Sequence, residues 1–310
     1  MRRCPTGKKV GSKGNQGRLK MAKHNTNFRV DRDIKLMEFL MEKMPQNSRN
    51  SIKSLLSHKQ VIVNDKPISQ FNYELHEGDG VSISKTKIMK QDLKGITVIY
   101  EDDDIIVIEK ERGILSVATD KVKNHTAYSI LKDYVKASDP KNKIFVVHRL
   151  DRDTSGVMIF AKNPKAQDIL QTNWNEIVKE RTYVAVVMGK VEKDKDTIVS
   201  YLAENRAFNT YSTDDETKGK KAITTYHVLK RNKNYSLLEV DIETGRKNQI
   251  RVHMQEMGHS VVGDKKYGGT KNPIRRLGLH AHSIVFNHPI TKQLLSFKSN
   301  IPHEFLSLFK

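Results

Sequence analysis

The feature that most constrains this chain is a polar loop, residues 148–156, between two short apolar segments. The loop reads His-Arg-Leu-Asp-Arg-Asp-Thr-Ser-Gly, and the apolar runs are residues 144–147 and 157–161. Short apolar runs bounded by turn residues are typical of buried strands. The pattern therefore predicts a loop at the ends of two buried strands, with one histidine, two arginines and two aspartates on rigid flanks.

The loop composition has two interpretations. Asp, Thr, Ser and Gly are ordinary hairpin residues, and an arginine beside an aspartate is usually a local ion pair. The alternative is a catalytic site, because functional residues are commonly carried by loops on a rigid scaffold. The choice between them depends on the rest of the chain.

The charge and cysteine content narrow the partners and the compartment. The formal net charge is +19, from 55 Lys plus Arg against 36 Asp plus Glu. This excess indicates RNA, DNA or an acidic membrane surface, although a basic protein with a solvated surface has the same charge. The single cysteine, Cys4, permits no internal disulfide, which favours a reducing cytoplasm. No apolar run approaches the roughly 18–20 residues of a membrane span, so we expect no membrane association.

The first part of the chain divides into a tail and a small module. Residues 1–27 are basic and contain no acid, which predicts a disordered tail, unless the protein starts at Met21. Residues 28–86 have the pattern of two helices followed by a hairpin. The first helix should end before Pro45 and the second should be capped by Ser48.

The remainder predicts a linker and one large domain. Residues 87–94 are polar and predict the linker, and residues 95–310 alternate strand runs with fewer helices. Helices are expected over 126–135, after Asn163-Pro164, and from about 247 to 257. Because strands outnumber helices, the predicted class is α+β with a mixed, largely antiparallel sheet.

Several motifs together resemble one enzyme family. The loop and the run after it are similar to the signature of the RluA-type pseudouridine synthases, and His148 favours them over the related RsuA-type enzymes, which have Gly there. More segments resemble motifs of that family in the same order, namely Tyr100–Lys110, Arg181–Gly189, Thr244–His253, Gly258–His259, Gly263–Asp264, Tyr267–Gly268 and Leu279–His282. Together they cover most of the chain from about residue 95 onward, and they imply the fold of that family.

Two positions depart from the family pattern. The family usually has Lys-Pro-x-Gly after its first strand, whereas residues 110–113 are Lys-Glu-Arg-Gly. The family histidine in the T-G-R segment is Asn248, which can form hydrogen bonds but cannot become charged. Both changes concern the subfamily assignment rather than the activity.

The resemblance implies isomerisation of uridine to pseudouridine in RNA, with four catalytic residues. Asp151 would be the catalytic carboxylate, acting either by covalent addition to the anomeric carbon or by removal of a neighbouring sugar proton. Tyr183 would stack on the uracil and accept the carbon-five proton; the alternative is a core aromatic. Arg251 would pair with Asp151 and keep it ionised. Arg149 would occupy the space of the extruded nucleotide, or else contact a phosphate.

Further residues are predicted to line the pocket or contact RNA. His148, Leu150 and Ile250 are the predicted pocket residues. The module at 28–86 resembles the RNA-binding domain named after small-subunit ribosomal protein four. A solvated face is the better explanation for Arg49 or Lys53 taken alone, and phosphate contact is the better one for the set. RNA contacts are predicted in this module and in the larger domain for Arg49, Lys53, His58, Lys59, Arg246, Lys247, Lys265 and Lys266.

A cluster of histidines bears on cofactors and on rival functions. His280, His282 and His288 lie close in sequence, but without cysteines or a recognised motif they are a weak metal signal, and we expect neither a metal nor an organic cofactor. The expected partner is RNA, ribosomal rather than transfer RNA, with no obligate protein partner and a monomer as the default. The alternatives are a non-catalytic RNA-binding or ribosome-associated protein and a metal-dependent nuclease, for which clustered acidic ligands are missing.

Overall fold

The structure is a computed structural model that describes residues 26–57, 60–64, 66–68, 70–83, 91–120, 122–269 and 271–310. The chain forms two compact units. The smaller unit contains nearly all described residues up to Ile83, and the larger unit contains those from Gln91 onward. Most of the predicted tail, His58, Lys59 and residues 87–90 of the predicted linker lie outside the described residues.

The smaller unit combines two helices with short strands. Its elements are β1 (Thr26–Arg29), β2 (Ile34–Lys35), α1 (Leu36–Lys43), α2 (Arg49–Ser57), β3 (Val61–Val63), β4 (Lys66–Pro67), β5 (Glu74–Leu75) and β6 (Gly80–Ile83). Strands β1, β6, β3 and β4 form an antiparallel sheet in that order, and β2 pairs with β5. Both predicted helices are confirmed, and the Ser48 hydroxyl accepts a bond from the Ser51 amide at the start of α2. Ile52 and Leu56 of α2 are buried against α1 and the sheet.

The larger unit is built on one twelve-stranded sheet. Its strands are β7 (Gln91–Leu93), β8 (Ile96–Glu101), β9 (Ile105–Lys110), β10 (Phe145–Val146), β11 (Ser155–Ala161), β12 (Val178–Met188), β13 (Lys195–Glu204), β14 (Thr210–Thr213), β15 (Lys220–Arg231), β16 (Tyr235–Ile242), β17 (Leu279–Asn287) and β18 (Leu294–Lys298). Its helices are α3 (Ala127–Ser138), α4 (Pro164–Thr172), α5 (Trp174–Ile177), α6 (Gln249–Glu256) and α7 (His303–Ser307). The pairing of β11 with β17 is parallel and the other strand pairs of the described sheet are antiparallel, which confirms the α+β prediction.

Local signals explain the helix starts, with two corrections. Asn163 caps α4 through its side chain, as the Asn163-Pro164 pair predicts, and Thr126, the first residue of the predicted helix 126–135, is the cap of α3. The helix expected from residue 247 begins at Gln249, because Asn248 has a left-handed backbone with φ 54°. The end of the predicted linker is also wrong, since Gln91–Leu93 pairs with β8 as an edge strand.

The polar loop at residues 148–156 rests on the most buried part of the sheet. All seven residues of β11, which follows the loop, are buried, and β11 pairs with β10, which precedes the loop. Gly156 has φ 119°, and a Cβ atom there would lie 2.1 Å from the Ala281 carbonyl oxygen of β17. Only glycine therefore permits the close approach of β11 and β17 beneath the loop.

Helix length also bears on membranes. Within the described ranges, no helix is long and apolar enough to cross a bilayer.

Candidate active site

The loop that carries Asp151 is fixed through its backbone. The Ser116 hydroxyl donates to the Leu150 carbonyl at 2.7 Å and accepts from the Leu150 amide at 3.0 Å. The Arg152 carbonyl accepts from the Gly113 amide at 2.9 Å, and the Thr154 amide donates to the Asp151 carbonyl at 3.2 Å. Residues on both sides of Asp151 are thus held in place without use of the Asp151 carboxylate.

A buried lysine reinforces this loop from below. Lys110 ends β9 and is fully buried, and its ammonium donates to the carbonyls of Glu111, Ile114 and Arg152 at 2.9, 2.8 and 3.1 Å. Three N–H donors meet three acceptors, so each donor has a partner. Burial lowers the pKa of Lys110 to about 8, against the opposing charges of the nearby aspartates. Sequence reasoning missed this role; the available signal was a lysine at the end of a strand that begins with four apolar residues.

Arg251 connects two carboxylates of unequal exposure. Its Nη1 donates to Asp151 Oδ2 at 3.1 Å. Its Nε and Nη2 form a bidentate ion pair with the Asp264 carboxylate, at 2.7 and 2.8 Å. The Asp264 side chain is 0% exposed and that of Asp151 is 34% exposed. Burial alone would lower the pKa of Arg251, but the bonds and charge of Asp264, and then Asp151, raise it above its ordinary value. Arg251 therefore stays charged beside Asp151.

Asn248, which stands where the family has histidine, also orients Arg251. Its Oδ1 accepts from Arg251 Nη1 at 2.8 Å, and its Nδ2 donates to the Tyr267 hydroxyl at 3.1 Å. The Arg251 guanidinium lies 5.0 Å from the centre of the Tyr267 ring. Asparagine tolerates the left-handed backbone at this position better than most residues.

The turn before α6 is locked by Gln249. Its Oε1 accepts from the Thr244 hydroxyl at 2.8 Å and from the Arg246 amide at 3.0 Å. Its Nε2 donates to the Ile223 carbonyl and the Thr224 hydroxyl of β15, both at 2.9 Å. The turn is therefore tied to the sheet, and it sets the direction in which α6 presents Arg251.

The structure brings the four predicted catalytic residues together. Arg149, Asp151, Tyr183 and Arg251 line one pocket of about 70 Å³, and Leu150 and Ile250 line it as predicted. Tyr183 comes from β12 and is half-buried. Burial raises the pKa of the Tyr183 phenol to about 12, with the Arg181 charge opposing the rise and Asp151 adding to it. The phenol is therefore protonated at neutral pH.

His148 does not line this pocket, which corrects its predicted position. It faces an adjoining cavity, because its Nε2 accepts from the Ile159 amide of β11 at 2.9 Å and fixes the ring there. Burial, and then the Arg181 charge, lower the pKa of His148 to about 3. The imidazole is neutral and serves to hold the start of the loop.

The predicted RNA-binding residues are spread over both units. Arg246 lines the pocket, whereas the Lys247 ammonium pairs with Glu204 at 2.6 Å. Lys265 and Lys266 are exposed next to Asp264. Arg49 and Lys53 are exposed on α2 of the smaller unit. Their contacts with RNA stay predictions.

Two of the three histidines considered for metal binding, His280 and His288, have other partners. His280 bonds Ser155 at 2.8 Å and Ser299 at 3.0 Å within the core. Among the described residues, the one group of three with metal-ligand spacing is Asp102, Asp104 and His288, and none of them lines the pocket. His288 Nε2 lies 3.0 Å from Asp102 Oδ2, a distance that an ordinary hydrogen bond explains.

The geometry of the pocket alone defines a class of protein. A carboxylate beside a fixed guanidinium can act as a nucleophile or a base, and the aromatic ring of Tyr183 offers a surface for a planar base. Arg149 and Arg246 make the rim cationic, which suits a polyanionic substrate. The larger unit is therefore built as an α+β enzyme that acts on nucleic acid.

Comparison with known proteins identifies the family. The profile of the RNA pseudouridylate synthase family matches residues 104–256. An uncharacterized RNA pseudouridine synthase of Chlorobaculum parvum is 31% identical, over 92% of this chain and 94% of the relative. Ribosomal large subunit pseudouridine synthase D of Buchnera aphidicola is 33% identical, over 88% and 92%. The structure of human RNA pseudouridylate synthase domain containing 1 shares the fold, with a TM-score of 0.56 at 23% identity over 72% of this chain and 89% of the human one.

The chain therefore belongs to the RNA pseudouridine synthase family, and the RluA-type resemblance is confirmed by these relatives. It is an isomerase that acts on RNA uridines.

Proposed function

We propose that this enzyme converts specific uridines of ribosomal RNA to pseudouridine, with Asp151 as the catalytic carboxylate. The observation that supports this most directly is the Asp151–Arg251 ion pair at 3.1 Å, in a pocket that Tyr183 and Arg149 also line. The Asp151 side chain is one-third exposed and paired with a cation, so it is held in place and is accessible to a substrate.

The reaction breaks the bond between the ribose and uracil nitrogen one and forms a bond from the same ribose carbon to uracil carbon five. Carbon five loses a proton and nitrogen one gains one, so there is no net oxidation or hydrolysis. Asp151 acts at the ribose, either by adding to the anomeric carbon or by taking a neighbouring sugar proton. Both routes require the ionised carboxylate that Arg251 favours. A pocket that excludes water protects the detached uracil from loss.

Tyr183 stacks on the uracil in this proposal and is the acceptor of the carbon-five proton. A phenol with a pKa of about 12 is almost wholly protonated at pH 7, so it must first release its own proton. If it does act as the base, single-turnover rates should increase with pH near neutrality. Replacement by phenylalanine should then remove both the rate and its pH dependence.

Arg149 is exposed, precedes Asp151 by two residues and lines the same pocket. We propose that it fills the place left by the extruded uridine. A base inside an RNA helix cannot reach a carboxylate at the bottom of a pocket, so the target must be unpaired or flipped out.

Ribosomal RNA is the proposed target because relatives carry the name ribosomal large subunit pseudouridine synthase D. The module at residues 28–86, most of which forms the smaller unit, is proposed to bind RNA in the manner of the small-subunit protein four domain, with Arg49 and Lys53 exposed on α2. Further phosphate contacts are proposed for Arg246, Lys247, Lys265 and Lys266. A cytoplasmic monomer is proposed, and transfer RNA is the alternative substrate.

The test is a pseudouridine map of cellular RNA from a strain that lacks this gene. The strain is complemented with wild type, with Asp151→Asn or with Asp153→Asn, a matched control in the same loop whose carboxylate pairs with Arg152 at the surface. A ribosomal site that wild type and Asp153→Asn restore, but Asp151→Asn does not, supports the proposal. Restoration by Asp151→Asn would favour the non-catalytic RNA-binding alternative, and a restored transfer RNA site would redirect the target.

A further inference from the structure

A second cavity adjoins the catalytic pocket and is not used by the proposed reaction. Its volume is about 420 Å³, compared with about 70 Å³ for the pocket itself. This size lies within the roughly 300–1,000 Å³ that is typical of small-molecule sites. The two spaces share Arg149, Tyr183 and Arg246 in their walls, so an RNA strand in one passes the other.

One wall of this cavity is aromatic. The Trp174 ring lies 4.8 Å from the His148 ring, centre to centre, and the two planes are tilted by 38°. His148 is held by the Ile159 amide and is neutral, so it contributes a flat ring rather than a charge. Trp174 is half-buried and stands at the start of α5, where a rigid platform is available.

The rest of the lining is cationic. The Arg181 guanidinium lies 5.9 Å from the Trp174 ring centre and is held by a bond to the Glu243 carbonyl at 2.9 Å. Arg149 and Arg246 lie at the border with the catalytic pocket. Among the described residues that line the cavity there is no aspartate or glutamate. An aromatic wall with three arginines is suited to a base and its phosphate.

We propose that this cavity binds a nucleotide that flanks the target uridine in the same RNA strand, with its base against Trp174 and its phosphate near Arg181. The inference rests on the proposed function, because it assumes that the target enters the adjacent pocket. Extrusion of the target unstacks its neighbours, and the cavity replaces the lost stacking. The protein therefore recognises at least two nucleotides by shape and stacking.

The first experiment uses the fact that Trp174 is the only tryptophan of the chain. The full-length Asp151→Asn protein is titrated with an RNA substrate, so that binding is observed without turnover. Tryptophan fluorescence should be quenched by the normal RNA. RNAs with one abasic position, placed in turn at each flank of the target, should include one that binds with little quenching. Equal quenching by every abasic RNA would overturn the proposal.

The second experiment measures single-turnover pseudouridine formation by the otherwise wild-type enzyme. Stacking of one base contributes about five- to 150-fold to affinity, so the sensitive abasic RNA should react at least about fivefold less efficiently. Trp174→Ala should show a similar loss on normal RNA and little further loss on the abasic RNA, while Trp174→Phe should lose less. Tyr211→Ala, an exposed aromatic on β14, is the control and should match wild type.

These outcomes separate this inference from the proposed function. If wild type forms no pseudouridine in the normal RNA, the proposed function fails. If wild type is active and every flanking abasic RNA reacts equally well, only the second site fails. The abasic RNAs test the wild-type protein directly, so a folding defect of Trp174→Ala cannot decide the result.

Discussion

The two charges of the catalytic ion pair are held in different ways. Asp151 lies on a loop whose backbone is bonded by Ser116, Gly113 and Lys110, and its own carboxylate takes no part in that support. Arg251 is held through its side chain, chiefly by the buried Asp264. The carboxylate is thus free to react, whereas the guanidinium is part of the core. Substitution of Asp151 should therefore lower turnover with little effect on stability, whereas substitution of Arg251 should lower both.

The largest effect is expected for Arg251→Met. Among the described residues, this substitution leaves the Asp264 carboxylate with the amides of Lys266 and Tyr267 as its hydrogen-bond partners. Breaking a buried ion pair in this way costs about 3–5 kcal/mol. Denaturant unfolding followed by Trp174 fluorescence, which reports on the larger unit, measures the loss. Asp151→Asn should change the free energy of unfolding by less than about 1 kcal/mol.

A double variant sharpens this prediction. Adding Asp264→Asn to Arg251→Met removes the unpaired charge, so part of the stability should return. Equal losses in Arg251→Met and Asp151→Asn would refute the comparison. A double variant that is less stable than wild type by the full sum of the two single losses would also refute it.

Next in size is Lys110→Met, which removes the support below the Asp151 loop. Three carbonyls lose their donor, while the cost of burying the ammonium disappears, so we expect a net loss of about 2 kcal/mol. A small displacement of a catalytic group lowers the rate by about a hundredfold, so turnover should decrease more than RNA affinity. Lys193→Met, at an exposed lysine, is the control and should match wild type in both assays. A rate loss no larger than the affinity loss would assign Lys110 to folding alone.

The difference between these two supports also explains what could be predicted from sequence. The strands around residues 148–156, the cap Asn163, and the grouping of Asp151 with Arg251 follow from local patterns and motifs. The bonds from Lys110, Ser116 and Asp264 do not, because they join segments far apart in the chain. The prediction that His148 lines the pocket is wrong for a related reason, because its bond to the Ile159 amide depends on strand pairing.

Acid should affect the Asp151 loop and helix α6 alike, since His148 on the loop and His253 on α6 are both neutral in the folded protein. The pKa of His253 on α6 is lowered to about 4 and that of His148 to about 3, in both cases chiefly by burial, against 6.5 in the unfolded chain. Between those values the unfolded chain binds the protons, so stability is complete above pH 6.5 and decreases as the pH falls. Each histidine should cost roughly 1 kcal/mol by about pH 5.5.

His253→Asn and His148→Asn test this by the slope of unfolding free energy against pH rather than by its level. Each should flatten the slope by a similar amount. A slope unchanged in both would mean that neither ring is kept neutral by the fold. A change in His253→Asn alone would show that the loop side is open to protons.

The smallest effect is expected for Arg152→Ala, although this residue is next to Asp151. The loop uses the Arg152 carbonyl, which alanine retains, and the Arg152 side chain is 62% exposed with a surface pair to Asp153. Exposed pairs contribute about 0–1 kcal/mol, so unfolding and single-turnover rates should stay close to wild type. If Arg152→Ala lowers the rate as strongly as Lys110→Met, the loop is positioned by its side chains. The contrast between a backbone-held aspartate and a side-chain-held arginine would then be wrong.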